Sequence, residues 1–338
     1  LGSSPQVGGA TSLFPQPASN TYREKMEISA TRPAEGAGAA SQEPAEPHGA
    51  LYLVLGYLRL PELLSVHRVC SSLRDAVAGD RLLWRDVLVE PPLSGRITDG
   101  ALLEVTSRAG GALRTLALVK CWRVTDAGLQ RVVQDNPGIT KLHVPGCVHL
   151  TAEGVLRAVR SLAERKGNLK QLRLNGVSSI TKRHLGILNS VLKVHPQQDL
   201  KPSFYGDWNS LELHGSENRP IDMDVCPKCE SPRLVFDCTR EKCRLTKGGH
   251  WTECRGCFFC IARCGMCAGC VGFQELGEES ACSHLLCLDC WLQLPKCHTC
   301  NRPYCPGHGN SLTECSGSSG FVCEECQIYG VPFSALDL

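Results

Sequence analysis

Nineteen of the 22 cysteines in this 338-residue chain lie between Cys226 and Cys326, and any fold of that third has to place them. Their spacings are Cys226-x2-Cys229, Cys238-x4-Cys243, Cys254-x2-Cys257, Cys260, Cys264-x2-Cys267 and Cys270. Then follow Cys282-x-His284-x2-Cys287-x2-Cys290, Cys297-x2-Cys300, Cys305-x2-His308, Cys315 and Cys323-x2-Cys326. A two-residue gap lets both thiolates of one turn reach the same Zn²⁺, and a tetrahedral ion needs two such pairs. Thiolates select soft or borderline metals, which disfavours Ca²⁺ and Mg²⁺. With His250, His284, His298 and His308 added, the ligands suffice for four zinc ions, or five.

Three other uses of cysteine compete with structural zinc. A disulfide framework suits a small secreted domain, but residues 1–48 carry no charged segment followed by an apolar run and do not read as a secretory signal. Cys254, Cys257, Cys260 and Cys264 have the C-x2-C-x2-C-x3-C spacing of bacterial ferredoxins, without the Pro that follows there, since Gly265 takes its place. Redox C-x-x-C chemistry usually rests on one isolated pair rather than on a field of them. Zinc is the preferred reading. From Cys267 onward the ligand order resembles a RING domain. That resemblance implies Cys267, Cys270, Cys287 and Cys290 on one ion and Cys282, His284, Cys297 and Cys300 on another, with Val271 and Trp291 or Leu292 near the apolar contacts to a conjugating enzyme.

Charge narrows the partners. The 36 Lys+Arg against 34 Asp+Glu give a net +2. The cysteine-rich third has ten basic and eleven acidic residues, so no basic stripe points to nucleic acid. No apolar run reaches the 18 residues a membrane span needs. The chain starts at Leu1, as a fragment or a processed chain would. Residues 1–48 are rich in Gly, Pro, Ser and Ala and are expected to form a disordered arm.

Periodic pattern starts at Ala50. Leu51, Val54, Leu55 and Leu58 share one helical face, Pro61 suits the first turn of a second helix, and Val69, Cys70, Leu73, Ala76 and Val77 mark a third. Leu82, Leu83 and Trp84 close the unit, which is too small for a generous core of its own. The runs Leu55-Gly56-Tyr57-Leu58, Pro61-Glu62-Leu63-Leu64, Arg68-Val69-Cys70-Ser71-Ser72-Leu73-Arg74 and Asp80-Arg81-Leu82-Leu83-Trp84-Arg85 resemble an F-box. The resemblance implies docking onto a Skp-type adaptor, and through it a cullin, by Pro47, Leu51, Leu55, Leu58, Pro61, Leu63, Leu64, Val69, Cys70 and Trp84.

Residues 91–215 carry a repeat. Leu113, Leu116 and Leu118 recur as Ile139, Leu142 and Val144, then as Leu169, Leu172 and Leu174. Cys121, Cys147 and Val177 follow each set, and Val124-Thr125, Leu150-Thr151 and Ile180-Thr181 each open an apolar helical stretch. Starts 26 and 30 residues apart fit a leucine-rich-repeat period, in which no unit can bury its apolar face alone but a stack can. Ile97-Thr98-Asp99 before Leu102 and Leu103 reads as the end of a degraded earlier unit. Between the buried strand positions, Thr115, Ala117 and Val119, then Lys141, His143 and Pro145, then Gln171, Arg173 and Asn175 are expected to face outward. Of these, Lys141, His143, Gln171, Arg173 and Asn175 are the candidate substrate surface. Leu211 and Leu213 are expected to add a capping strand, with Trp208 over that end.

The expected architecture is multidomain. A disordered arm (1–48) precedes all-α F-box-like helices (49–90), an α/β leucine-rich-repeat stack (91–215) and an irregular multi-zinc module (216–330). This order resembles plant F-box proteins of the Skp-interacting class with leucine-rich repeats and a cysteine-rich C-terminal region. The resemblance implies a non-catalytic substrate-recognition subunit of an SCF-type ubiquitin ligase, in the nucleus or cytoplasm, with a protein substrate. A RING-type ligase acting through the tail and a zinc-containing scaffold or nucleic-acid-associated protein are the rival readings. The candidate metal ligands are Cys226, Cys229, Cys238, Cys243, Cys254, Cys257, Cys260, Cys264, Cys267, Cys270, Cys282, His284, Cys287, Cys290, Cys297, Cys300, Cys305, His308, Cys315, Cys323 and Cys326.

Overall fold

The computed structural model describes residues 48–165, 169–193, 202–206, 219–245, 254–272, 280–282, 284–304, 313–314 and 321–329. The arm at 1–47 and the capping strand expected at Leu211 and Leu213, with Trp208, lie outside the described residues.

Three short helices open the fold: α1 (Ala50–Val54), α2 (Leu60–Val66) and α3 (Ser71–Gly79), with 3-10 turns at Leu55–Tyr57 and Arg81–Trp84. The Glu62 carboxylate accepts from the backbone N–H of Arg59 at 2.6 Å and so fixes the start of α2. Leu55, Leu60, Leu63, Val77 and Trp84 do not form a separate core. They pack into one cluster with the strands and helices that follow, as a unit too small to stand alone requires.

A four-stranded parallel sheet comes next, in the order β1 (Asp86–Val89), β2 (Thr115–Leu118), β3 (Lys141–His143) and β4 (Gln171–Arg173). Helix α4 (Asp99–Ser107) joins the first two strands, α5 (Asp126–Asp135) the next and α6 (Ala152–Arg165) the last, while α7 (Lys182–Val191) follows β4. The register pairs Leu116 with Leu142 and Leu142 with Leu172, the same positions that recur in the sequence. The earlier unit is complete rather than degraded. Val87 and Val89 alternate inward within the stretch read as the end of the helical segment, and they pair with Leu116 and Leu118. Two alternating valines are too short a pattern to stand out beside the helices before them.

A carboxylate ladder locks successive units. Asp99, in the first turn of α4, accepts from the Thr125 N–H at 2.9 Å and from its hydroxyl at 2.6 Å. Asp126 does the same for Thr151, at 2.9 and 2.6 Å. Each aspartate lies against a glycine of the next helix, Gly128 or Gly154, where a Cβ would overlap the carboxylate. At the last step Ala152 holds the aspartate's position, and the Glu153 carboxylate meets His184 at 2.9 Å instead.

The stack is closed by a segment no periodicity marked. Ile221 forms a parallel bridge with Leu172, and the buried Asp222 carboxylate accepts from the N–H groups of Leu174 and Asn175 at 2.9 and 3.0 Å. The cysteine-rich tail begins directly after it. Its regular structure is slight: β5 (Asp224–Val225), β6 (Pro232–Arg233), α8 (Glu241–Leu245), α9 (Leu288–Gln293), β7 (Thr313–Glu314), β8 (Phe321–Val322) and α10 (Glu324–Tyr329). An ion pair at 2.6 Å between Lys182 of α7 and Glu230 also ties tail to stack. No described helix is long and apolar enough to cross a membrane.

Candidate metal centres and docking face

Among the described residues, sixteen cysteines converge into four groups of four, with the sulfur atoms of each group within 4.8 Å of one another. The first holds Cys226, Cys229, Cys257 and Cys260, and the second Cys238, Cys243, Cys254 and Cys270. The third holds Cys264, Cys267, Cys287 and Cys290, and the fourth Cys297, Cys300, Cys323 and Cys326. Sulfur–sulfur separations are 3.9 Å for Cys229–Cys257, 3.6 Å for Cys243–Cys270, 3.7 Å for Cys267–Cys287 and 3.8 Å for Cys300–Cys323. Four sulfurs each about 2.3 Å from a central zinc stand about 3.8 Å apart at the edges of the tetrahedron. A disulfide would bring two of them to about 2.05 Å, and none forms among the described residues. The donor set and its spacing fit a tetrahedral thiolate-bound ion.

Local sequence makes the turns. In the first, third and fourth groups the leading cysteine carbonyl accepts from the amide four residues on: Glu230 at 2.8 Å, Ala268 at 3.0 Å and Asn301 at 2.9 Å. Each of these three residues has positive φ, between 56° and 59°, a conformation that costs a non-glycine residue about 1–2 kcal/mol. Amide N–H groups of Cys257, Cys270 and Cys323 point at Cys226, Cys238 and Cys297 sulfurs, each at 3.3 Å. The closing pairs of the third and fourth groups come from short helices, Cys287 and Cys290 at the start of α9, Cys323 and Cys326 at the start of α10.

The electrostatics of the groups ask for a cation. Against burial, the amides of Cys300, Cys323 and Thr299 hold the Cys297 thiol down at about 6, whereas burial and the neighbouring thiols push Cys326 well above its ordinary value. The Ser231 amide helps lower Cys229 to about 6, while burial and its neighbours drive Cys260 up to about 12. Four crowded thiols cannot all ionise unless positive charge sits between them.

These groupings differ from two arrangements raised by the spacing. The RING-like pairing is not what the fold brings together. Cys270 sits with Cys238, Cys243 and Cys254, its RING partners Cys267, Cys287 and Cys290 sit with Cys264, and Cys297 and Cys300 sit with Cys323 and Cys326. Cys282 and His284 belong to none of the four groups. There Ser280 approaches the Cys282 sulfur at 3.4 Å and donates to the His284 carbonyl at 2.7 Å. The ferredoxin-like run is likewise dispersed, Cys254 to the second group, Cys257 and Cys260 to the first and Cys264 to the third. His298 is exposed. His250, Cys305, His308 and Cys315 lie outside the described residues.

The residues nominated for adaptor docking separate into two sets. Leu51, Pro61 and Val69 are exposed, Leu58, Leu64 and Cys70 are half-buried, and Pro47 lies outside the described residues. Leu55, Leu63 and Trp84 are instead core. Trp84 is 1% exposed, donates from its indole N–H to the Val77 carbonyl at 2.8 Å and carries the Arg108 guanidinium over its ring at 4.8 Å. The docking set nominated from sequence left out Leu53, Tyr57 and Leu82, which are 78%, 87% and 72% exposed. Large apolar side chains left in water by a folded unit were the available signal. The turns bearing Tyr57 and Leu82 pack together.

The candidate substrate surface is similarly revised. Lys141 is exposed, and Gln171, Arg173 and Asn175 are half-buried, but His143 is 5% exposed, as Ala117, Val119 and Pro145 beside it are also buried. Neither ring nitrogen of His143 has a hydrogen-bond partner. Burial, together with the charges of Arg173 and Lys141 and against a partial offset from Gln171, lowers its pKa from 6.5 to about 4. The fold therefore favours neutral imidazole. This contribution to stability is complete above pH 6.5 and is lost as pH falls through about 4, a total on the order of 3 kcal/mol. His143→Gln should flatten that part of the curve, so the two proteins' unfolding free energies are expected to diverge between pH 7 and pH 4.5. Parallel curves would mean that the imidazole is solvated.

Comparison with known proteins follows the same division of the chain. Residues 47–90 match the family description "F-box-like", and residues 222–299 match "At3g27290 F-box protein C-terminal domain". The chain is 42% identical over 288 residues to F-box protein SKIP28 of Arabidopsis thaliana, covering 82% of this chain and 89% of that one. The chain belongs to the F-box proteins. Members of this family are characteristically non-catalytic adaptor subunits. It is also similar to F-box protein SKIP14 of Arabidopsis thaliana, 39% identical over 75% of this chain and 56% of that one. F-box protein At3g27290, also of Arabidopsis thaliana, is 38% identical over 72% of this chain and 65% of that one. Likeness to solved structures is slight. Leiomodin-1 Actin-Binding Site 2 (ABS2) gives a TM-score of 0.26 at 22% identity, over 32% of this chain and 64% of that one. A Caenorhabditis elegans tropomodulin C-terminal domain gives 0.23 at 15% identity, over 30% of this chain and 78% of that one.

Proposed function

We propose that this F-box protein is the substrate-recognition subunit of an SCF-type ubiquitin ligase. Its helical unit docks on a Skp-type adaptor, which links it to a cullin, and its leucine-rich stack and zinc-held tail receive a protein substrate. The observation that carries this reading is the F-box-like match at residues 47–90 on helices that bury Leu55, Leu63 and Trp84 while leaving Leu51, Leu53, Tyr57, Val69 and Leu82 in water. One set of apolar residues ties the helices to the stack, and the other is free for a partner. Lys141, Gln171, Arg173 and Asn175 remain the substrate-facing candidates on the stack. No bond is made or broken by the chain itself. The rate gain is one of proximity, since a held substrate lies near the conjugating enzyme that other subunits bring. Four zinc ions, one in each cysteine group, hold the tail in shape.

The test is adaptor binding by the purified chain. Leu53→Asp with Tyr57→Asp is expected to weaken capture of a Skp-type adaptor by about 30-fold or more, as loss of interface anchors does, with thermal unfolding unchanged because both side chains are exposed. Wild-type protein that binds no such adaptor, or a double variant that binds as tightly as wild type, would sink the proposal.

A further inference from the structure

Arg263 is fully buried, in a run of chain between Cys260 of the first group and Cys264 of the third. An antiparallel bridge sets it beside Cys270 of the second group. Its guanidinium donates to the carbonyls of Phe236 and Cys254 at 2.9 and 2.5 Å, and one terminal nitrogen lies 3.9 Å from the Cys254 sulfur. The remaining nitrogen, Nε, has no partner. No carboxylate pairs with it among the described residues. Arg255, eight residues earlier, shows the alternative: it is held by Asp237 at 2.8 Å and Asp224 at 3.0 Å.

A buried guanidinium with only neutral partners is strongly disfavoured, and among the described residues no carboxylate supplies the compensating negative charge. The second cysteine group supplies it. Four thiolates around one divalent ion leave a net charge of −2, which is itself costly to bury without a counter-charge. We propose that Arg263 is the outer-sphere cation of the Cys238, Cys243, Cys254 and Cys270 site, and that it makes this site retain a divalent ion on four thiolates. It does so without touching the ion, by offsetting the excess negative charge that thiolate ligation creates. The inference rests on the reading that the cysteine groups hold zinc.

The experiment measures metal per chain in the purified full-length protein and the rate at which a competing chelator removes it. Wild-type protein with no bound metal would end the zinc reading itself, independently of Arg263. Given four ions in wild type, Arg263→Met is expected to weaken one of them by about 10- to 100-fold, the usual size of an outer-sphere loss, and so to release that ion first. Cys243→His replaces one thiolate by a neutral ligand and lowers the site's excess charge. In that background Arg263→Met should matter much less, whereas a loss of packing would matter equally in both. Equal effects in the two backgrounds, or Met variants that keep all four ions at wild-type release rates, overturn the proposal. A Met variant that fails to fold alone but folds with Cys243→His supports it, and failure in both backgrounds overturns it. Should Cys243→His itself lose the ion, Arg263→Lys takes its place: four ions kept by Lys and lost by Met support the charge, and loss by both overturns it.

Discussion

Stripping metal from the purified chain is expected to unfold the cysteine-rich tail that follows Asp222 while the strand–helix stack stays folded. The reason lies in where apolar burial is found. The stack and the F-box-like helices share one continuous core of more than thirty buried residues. Among its described residues the tail has only small clusters, such as Cys264, Val271, Leu286 and Cys287, or Phe236 and Ala268 with Tyr205 from the segment before it. Many of its buried side chains are the cysteines themselves. Clusters of that size cannot offset the ordering of the tail's described residues. Structural zinc can contribute on the order of 10–16 kcal/mol per site near pH 7, enough to turn an unstable tail into a fixed one. Hydrogen exchange resolved along the chain is the direct readout. Amides such as Phe236, Gly256 and Cys270 should lose protection on chelation and regain it with Zn²⁺, while those of β2 to β4 should not change. A tail that keeps its protection without metal would show that something other than the cysteine groups holds it.

Trp84→Ala carries the second large effect, an expected loss of about 3–5 kcal/mol from the stack and F-box-like helices together. The indole is the largest fully buried side chain among the described residues. It fills the junction between the Arg81–Trp84 turn and the sheet, satisfies the Val77 carbonyl and supports Arg108. Its removal leaves a cavity, an unpaired carbonyl and an unstacked guanidinium. Leu53→Ala nearby removes a side chain that is already in water and should cost less than about 0.5 kcal/mol. Denaturant titrations of the two variants separate the roles. If Trp84→Ala unfolds like wild type and loses only adaptor binding, the indole belongs to the docking face after all.

Much of the stack was legible because its information is periodic. Leu116, Leu142 and Leu172 recur at matching offsets, and the register pairs those same residues. The aspartate ladder was legible in principle from Thr125-Asp126-Ala127-Gly128, since Gly154 must yield to Asp126 just as Gly128 yields to Asp99, but two steps are too few to stand out. His143 was misplaced for a different reason. Alternation along a strand says which face a residue occupies, not whether that face is later covered. Trp84 illustrates the same limit, because a helical motif does not show which of its apolar residues meet the next element and which meet a partner.

In the tail, the cysteine pairs were visible and their partners were not. Chain neighbours such as Cys226 and Cys229 are joined by one turn, so spacing reports them. That Cys270 joins Cys238, Cys243 and Cys254 depends on how the intervening segments cross, which spacing does not encode. Counting ligands gave enough for four ions, and the fold gathers four sets from the described residues.

The way the first three sets overlap along the chain bears on how the protein is made. Synthesis delivers thiols in sequence order and lets upstream segments fold first. Cys260 completes the first set, but Cys238, Cys243 and Cys254 must then wait for Cys270, and Cys264 and Cys267 of the third set emerge ahead of it. A nascent tail that captured metal by order of arrival would put Cys238 and Cys243 with Cys226 and Cys229, in place of Cys257 and Cys260. Correct sorting is therefore done by geometry after the ligands are out, and the newly made chain stays vulnerable to misligation until Cys290 has left the ribosome.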